Sequence, residues 1–112
     1  MKNSIHYSPE ALNDLNEIWE YIVSELCNVN AAEHTIKTIL DTVERLENFS
    51  ALGAPLSSIT SLENDYRFLV SKSYLIFYRI NGHEIYIDRI LYSRRNYMYI
   101  LFPDLPPSES ET

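Results

Sequence analysis

The sequence predicts an α+β domain: an antiparallel helix hairpin packed on one face of a small, twisted, mainly antiparallel sheet, with a short C-terminal helix. Three observations carry this. Apolar residues recur at steps of three and four through two consecutive stretches of the first half. The second half changes to β-branched and aromatic runs set around Asn81-Gly82, the strongest turn signal in the chain. Between them lies a segment with Gly53, Pro55 and several Ser and Thr.

Residues Lys2 to Tyr7 read as a short opening strand that joins the sheet. Ser8-Pro9-Glu10 reads as a helix start, with Ser as the cap, Pro at the first helical position and an acid behind it. Leu12, Leu15, Ile18, Trp19, Ile22, Val23 and Leu26 then form one face, with Glu10, Asp14, Glu17 and Glu20 away from it. The predicted helix runs to about Leu26. Asn28-Val29-Asn30 is a turn, and Asn30 with Glu33 three residues on matches a capping box for a second helix. Its stripe is Ile36, Ile39, Leu40, Val43, Leu46 and Phe49, and Asp41 stands four residues before Arg45 in the favourable order. Two such helices joined by a few residues make a hairpin. Residues 50–65 are long for a loop in a compact domain, and such loops are often functional or held by a partner.

Three strands are predicted after it: Tyr66 to Ser71, Tyr74 to Ile80 and Glu84 to Tyr92. With Asn81-Gly82 as a two-residue turn, Arg79 pairs with Glu84, Tyr78 with Ile85, Phe77 with Tyr86 and Ile76 with Ile87. One face then carries Tyr74, Ile76, Tyr78, Ile80, Ile85, Ile87 and Leu91, and covers the helix hairpin. The other holds Leu75, Phe77, Tyr86 and Ile90 mixed with Arg79, Glu84 and Asp88. It is too apolar to stand bare, so the C-terminal segment or a partner is expected over part of it. Arg94 to Phe102 fits a short helix ended by Pro103. Residues 1–102 are thus expected to be one domain, and 103–112 a disordered acidic tail.

Length and composition agree. The chain has 112 residues, 46% hydrophobic and 22% charged, which excludes disorder as the main state and gives one domain. One Cys excludes an intrachain disulfide and fits a reducing cytoplasm. No run of 18 apolar residues exists, so no membrane partner is expected. The net charge of -7 is unevenly spread. Residues 1–65 hold 3 basic and 11 acidic residues, residues 66–97 hold 6 and 2, and residues 98–112 hold three acids only. A uniformly acidic protein is a poor general binder of nucleic acid, but a basic patch on an acidic body suits an acidic partner or a narrow phosphate site.

With only Gly53 and Gly82, no Gly-rich phosphate loop exists. His6, His34, His83 and Cys27 lack metal-ligand spacing, so no metal and no cofactor is expected. Cys27 reads as a bland thiol near a helix end. The segment with most chemical potential is Tyr92-Ser93-Arg94-Arg95-Asn96-Tyr97-Met98-Tyr99. Paired arginines can bind a phosphate or carboxylate through forked hydrogen bonds, and a tyrosine can donate a proton or stack on a base. The structural alternative pairs Arg94 or Arg95 with Asp88, Glu63 or Asp65, and packs Tyr97 and Tyr99 under the helix. Metal-free RNA cleavage would also need a base. None is evident: histidine is absent from 84–102, and the hairpin register assigns Glu84 to Arg79.

The order strand, helix hairpin and three antiparallel strands, with Tyr74-Leu-Ile-Phe-Tyr-Arg-Ile80 and then Arg89-Ile-Leu-Tyr-Ser-Arg-Arg-Asn-Tyr97, resembles the RelE/ParE superfamily of toxins from type II toxin–antitoxin pairs, some called plasmid stabilisation proteins. The resemblance spans roughly residues 3–102, and Tyr7-Ser8-Pro9-Glu10-Ala11 shares in it. The resemblance implies one of two activities. RelE-like members are ribosome-dependent mRNA endonucleases, and ParE-like members poison DNA gyrase. The nuclease pattern puts Arg67 at one basic position, but Leu69 and Leu75 fall where two further cations are expected. That, with the acidity of the chain, favours the ParE-like side. One departure is Arg95-Asn96, where many ParE-like chains have an acid after the arginine.

The resemblance therefore implies a cytoplasmic toxin that causes growth arrest by inhibiting DNA gyrase through protein–protein contact, with a cognate antitoxin as its second partner. Arg67, Arg94, Arg95 and Tyr97 are the expected target- or antitoxin-binding residues. The alternatives are a nuclease acting on ribosome and mRNA with Arg67, Arg94 and Tyr97 or Tyr99, and a non-toxic interaction module.

Overall fold

A computed structural model of the protein describes residues 2–60, 62 and 64–104. The opening strand β1 is Ser4–Tyr7, and α1 follows as Pro9–Glu25. Ser8 caps it as the sequence predicts: its Oγ accepts the Ala11 N–H at 2.9 Å, and Pro9 needs no such partner. The chain then reverses at Cys27, whose φ of 50° is left-handed. That reversal moves the second cap. Asn28, not Asn30, accepts the Ala31 N–H at 2.9 Å and starts α2, Val29–Glu44. Beyond Glu44 the chain tightens into a 3-10 turn, Arg45–Glu47. Asp41 pairs with Lys37, at 2.8 Å, and not with Arg45.

The buried side of α1 is Ala11, Asp14, Ile18 and Ile22. Leu12 and Leu26, expected on it, are 55% and 59% exposed. The helix sits about one residue round from the predicted stripe, because small Ala11 occupies the close approach to the core and Asp14 has a partner there. On α2 the buried residues are Ala32, Ile39 and Val43, while Phe49 beyond it is exposed.

The sheet adds β2, Ala54–Pro55, β3, Arg67–Ser71, β4, Tyr74–Asn81, and β5, Glu84–Tyr92. Its order is β1-β5-β4-β3-β2, antiparallel except for β1 alongside β5. The segment expected as a long loop therefore contains an edge strand, then a 3-10 turn, Leu56–Ser58, in which Leu56 is fully buried.

The hairpin register differs from the expected one by two residues. Asn81 faces Glu84, Ile80 faces Ile85, Arg79 faces Tyr86 and Tyr78 faces Ile87. Gly82, at φ +63°, and His83 are the turn, with Gly at the first central position. An even slip leaves every side chain on its expected face. A bulge then undoes this. Tyr78 faces Ile87 but Phe77 faces Arg89, so Asp88 is an extra residue on β5. Past it the alternation inverts: Ile90 joins the helix side and Leu91 the opposite side, the reverse of the expected assignment.

Two apolar clusters result. The larger lies between sheet and helices and includes Ile18, Ile39, Val43, Ile76, Tyr78 and Ile87. The smaller lies on the other face and is built on Leu56, Leu75, Phe77 and Leu91. The C-terminal helix α3, Tyr97–Leu101, covers it with Tyr97, Ile100, Leu101 and then Phe102. The cover that the apolar second face calls for is thus the chain's own end. Of the expected acidic tail, Pro103 and Asp104 form a turn, and residues 105–112 lie outside the described residues.

Candidate functional site

At one end of the sheet two turns meet. The Ser93 N–H donates to the Ser73 carbonyl at 2.8 Å, tying the exit of β5 to the β3–β4 turn. The Arg95 N–H donates to Tyr92 O at 3.0 Å, and the Tyr97 N–H to Arg95 O at 2.8 Å. This fixes the backbone of the arginine pair while both side chains stay exposed. Neither makes an ion pair among the described residues. Of the partners considered for them, Asp88 is bound to Arg79 at 2.8 Å, and Glu63 lies outside the described residues. Lys72, exposed in the adjoining turn with φ 53°, lines a cleft together with Arg95.

Arg67 stands apart from that corner. It faces Tyr78 across β3–β4, and its guanidinium donates to the Gly53 carbonyl. The Tyr78 hydroxyl donates to Ser50 O at 2.8 Å and accepts the Gly53 N–H at 2.9 Å. These contacts pin the segment before β2 onto the sheet. Four residues of β3, roughly 13 Å, separate Arg67 from the β3–β4 turn. Tyr97 lies on the opposite face, its ring 5.4 Å from that of Phe77. The structure therefore brings Arg94 and Arg95 together, adds Lys72, and places Arg67 and Tyr97 elsewhere.

A polar row crosses the second face beyond the smaller cluster. His6 faces Tyr86, and Tyr86 faces Arg79. His6 Nε2 is 2.9 Å from Glu84 Oε1, and its ring stacks on Tyr86 at 5.2 Å. Glu84 is thus the partner of His6, not of Arg79, because the two-residue register shift moves Arg79 away and the parallel β1 brings His6 in. The carboxylate and the Tyr86 ring together orient the His6 imidazole, a contact that sequence reasoning did not find. The signal needed was strand pairing across 78 residues. Arg79 is engaged by Asp88 and lies 5.3 Å over the Tyr66 ring. Burial first, and then the Asp88 charge, raise the Tyr66 pKa and keep that phenol protonated.

Asp14 was also missed. It is 2% exposed and takes a forked pair of hydrogen bonds from Arg89, each 2.8 Å. Its place in the series Ala11, Asp14, Ile18, Ile22 was the signal available: an acid on a three-four-four apolar row. Asp14 hydrogen bonding raises the Arg89 pKa and keeps the guanidinium charged. Among the described residues, no group of three or more His, Cys, Asp or Glu side chains could hold a metal ion. No described helix is long and apolar enough to cross a membrane.

Comparison with known proteins gives a consistent result. The family model for the ParE toxin of type II toxin–antitoxin systems, parDE, matches residues 5–97. Among solved structures the chain is similar to one described as the chromosomal ParDE TA system from P. aeruginosa, with a TM-score of 0.68 and 25% identity, over 81% of this chain and 96% of that one. No curated protein sequence matches it at a significant level.

Proposed function

The chain belongs to the ParE toxin family of type II toxin–antitoxin systems, and on that premise we propose that it arrests growth by inhibiting DNA gyrase through protein–protein contact. It would do no chemistry of its own and need no cofactor. A cognate antitoxin would neutralise it by laying an acidic, partly disordered segment over the arginine turn and folding there. Both partners act in the cytoplasm, which is where the reading places the protein.

The observation that carries this reading is the Arg94-Arg95 turn: two exposed guanidinium groups on an ordered backbone, with no ion pair among the described residues. Two forked donors side by side suit carboxylates of a protein partner. Leu69 and Leu75 support the choice of gyrase over RNA. Both are buried in the apolar clusters, so neither position offers a cation to a phosphate.

A supercoiling and DNA-cleavage assay with purified protein, freed of antitoxin, tests the reading. Inhibition with trapped cleaved DNA is expected, and the Arg94→Ala/Arg95→Ala double variant should lose it while staying folded. No effect at large molar excess sinks the gyrase reading.

The His6–Glu84 contact favours one second reading, a ribosome-dependent mRNA endonuclease. His6 would take the 2′-hydroxyl proton and a tyrosine of the same face would protonate the leaving oxygen. Cleavage of mRNA on programmed ribosomes, lost in His6→Gln, would establish it. Normal growth of cells expressing folded protein, with silence in both assays, would leave a non-toxic interaction module.

A further inference from the structure

One cleft lies at the Lys72–Arg95 corner. It opens between α1 and the end of the sheet and holds about 630 Å³, within the range of pockets that enclose small organic ligands. Three tyrosines line it, over an aliphatic base of Ile18, Ile22 and Ile90. Tyr74 and Tyr92 face each other across β4–β5 with ring centres 5.9 Å apart and planes at 62°. Tyr21 of α1 closes the third side. Tyr21 and Tyr92 are 58% and 41% exposed, so part of each side chain is open to solvent.

The charges around this cleft are sorted. Lys72 and Arg95 stand on its rim, with Arg94 next in sequence. Asp14, at its floor, is already neutralised by Arg89. Glu17 is the one other acid on the lining. Lys72 also sits at φ 53°, a backbone conformation that favours glycine. A lysine there is costly to the turn, so a role for its charge is the economical reason to find it in that place.

From this arrangement we infer that the corner is a binding site for single-stranded DNA. One or two bases enter the cleft and stack on the tyrosine faces, and the flanking phosphates meet Lys72, Arg94 and Arg95. Stacking platforms beside a short cationic track are how single strands are held without sequence readout. Glu17 meets the base side, where its carboxylate accepts from an exocyclic amine rather than opposing a phosphate. The acidic remainder of the molecule keeps the contact local and the affinity modest. Choosing DNA over RNA rests on the gyrase reading. The binding itself does not, and its measurement contains no gyrase, so either can fail without the other.

The test is fluorescence anisotropy of a labelled mixed-sequence DNA 12-mer titrated with the full chain, beside its duplex and the RNA of the same sequence. Binding of the single strand in preference to the duplex is expected. Between 50 and 200 mM salt its affinity should fall about sevenfold if two phosphates are neutralised and about eighteenfold if three are. Tyr92→Ala should weaken it at least fivefold. Lys72→Gly separates charge from structure. It relieves the left-handed turn, so thermal stability should hold or rise, while affinity falls. Arg79→Ala, on the opposite face, should leave binding unchanged. Absence of binding, duplex preference, tighter binding of the RNA, or affinity indifferent to Lys72→Gly and Tyr92→Ala would each overturn the proposal.

Discussion

Asp14 on the first helix and Arg89 on the last strand form a forked ion pair, with both N···O distances 2.8 Å, and Asp14 Oδ2 also accepts the Ile90 N–H at 2.9 Å. The contact joins residues 75 apart. It sits just past the bulge at Asp88, where β5 has a backbone N–H turned toward the helix side. One buried carboxylate thus serves both a part-buried guanidinium and a buried strand N–H.

Removing that carboxylate should be severe. Asp14→Ala strands the Arg89 charge and the Ile90 N–H, and is expected to lose about 3 kcal/mol of stability. Asp14→Asn keeps an acceptor and should lose less. Urea denaturation of both, with Arg89→Ala and the double variant, gives the coupling between the two side chains. A coupling near zero would mean the pair is incidental to the fold.

The segment before β2 hangs on one phenol. Tyr78→Phe leaves the Ser50 carbonyl and the buried Gly53 N–H without their partner, a loss of about 1–3 kcal/mol. Gly53→Ala should be worse, because its Cβ would come within 2.5 Å of the Phe68 carbonyl oxygen and 2.8 Å of the Tyr78 ring. Limited proteolysis around residues 50–60 reports release of this segment, and equal resistance in all three proteins would refute the account.

Tyr7 predicts behaviour at alkaline pH. Burial, then the Glu44 charge, push its pKa from 10.0 up to about 12. The folded protein holds this proton after the unfolded chain has released it, so stability should fall as pH rises from about 10 toward about 12. Tyr7→Phe has no proton to lose, and its stability should decline less over that window. Parallel decline in the two proteins would show that Tyr7 is not responsible.

The helix faces give a sharper contrast. Leu12→Ala and Leu26→Ala, both at exposed positions of the predicted stripe, should change stability by no more than about 0.5 kcal/mol. Ile18→Ala and Ile22→Ala, both buried, should each lose about 2–5 kcal/mol. Thermal melts of the four variants decide whether α1 docks as described.

Two exposed arginines should behave differently again. Arg94→Ala/Arg95→Ala is expected to leave the unfolding midpoint unchanged, because neither makes an ion pair among the described residues, while gyrase inhibition is lost. Arg67→Ala should instead loosen the Gly53 contact and lower stability. If Arg67→Ala abolishes inhibition without loss of stability, it belongs to the binding surface after all.

Local chemistry was legible in the residues themselves. Ser8-Pro9 marked the start of α1, the three-four spacing marked both helices, and the apolar runs around Gly82 marked the β4–β5 hairpin, because caps, periodicity and turns act over a few residues. The apolar second face likewise announced a cover, which α3 supplies. What sequence left undecided depended on contacts between distant segments. One extra residue at Asp88 inverted the strand alternation beyond it, and strand periodicity carries no sign of such a bulge. His6 met Glu84, Arg89 met Asp14, and Lys72 met Arg95 at a shared cleft only because β1 joins β5 and two turns close on each other. Side-chain partners over such separations are set by how helices and strands dock, and docking is a property of the folded chain as a whole.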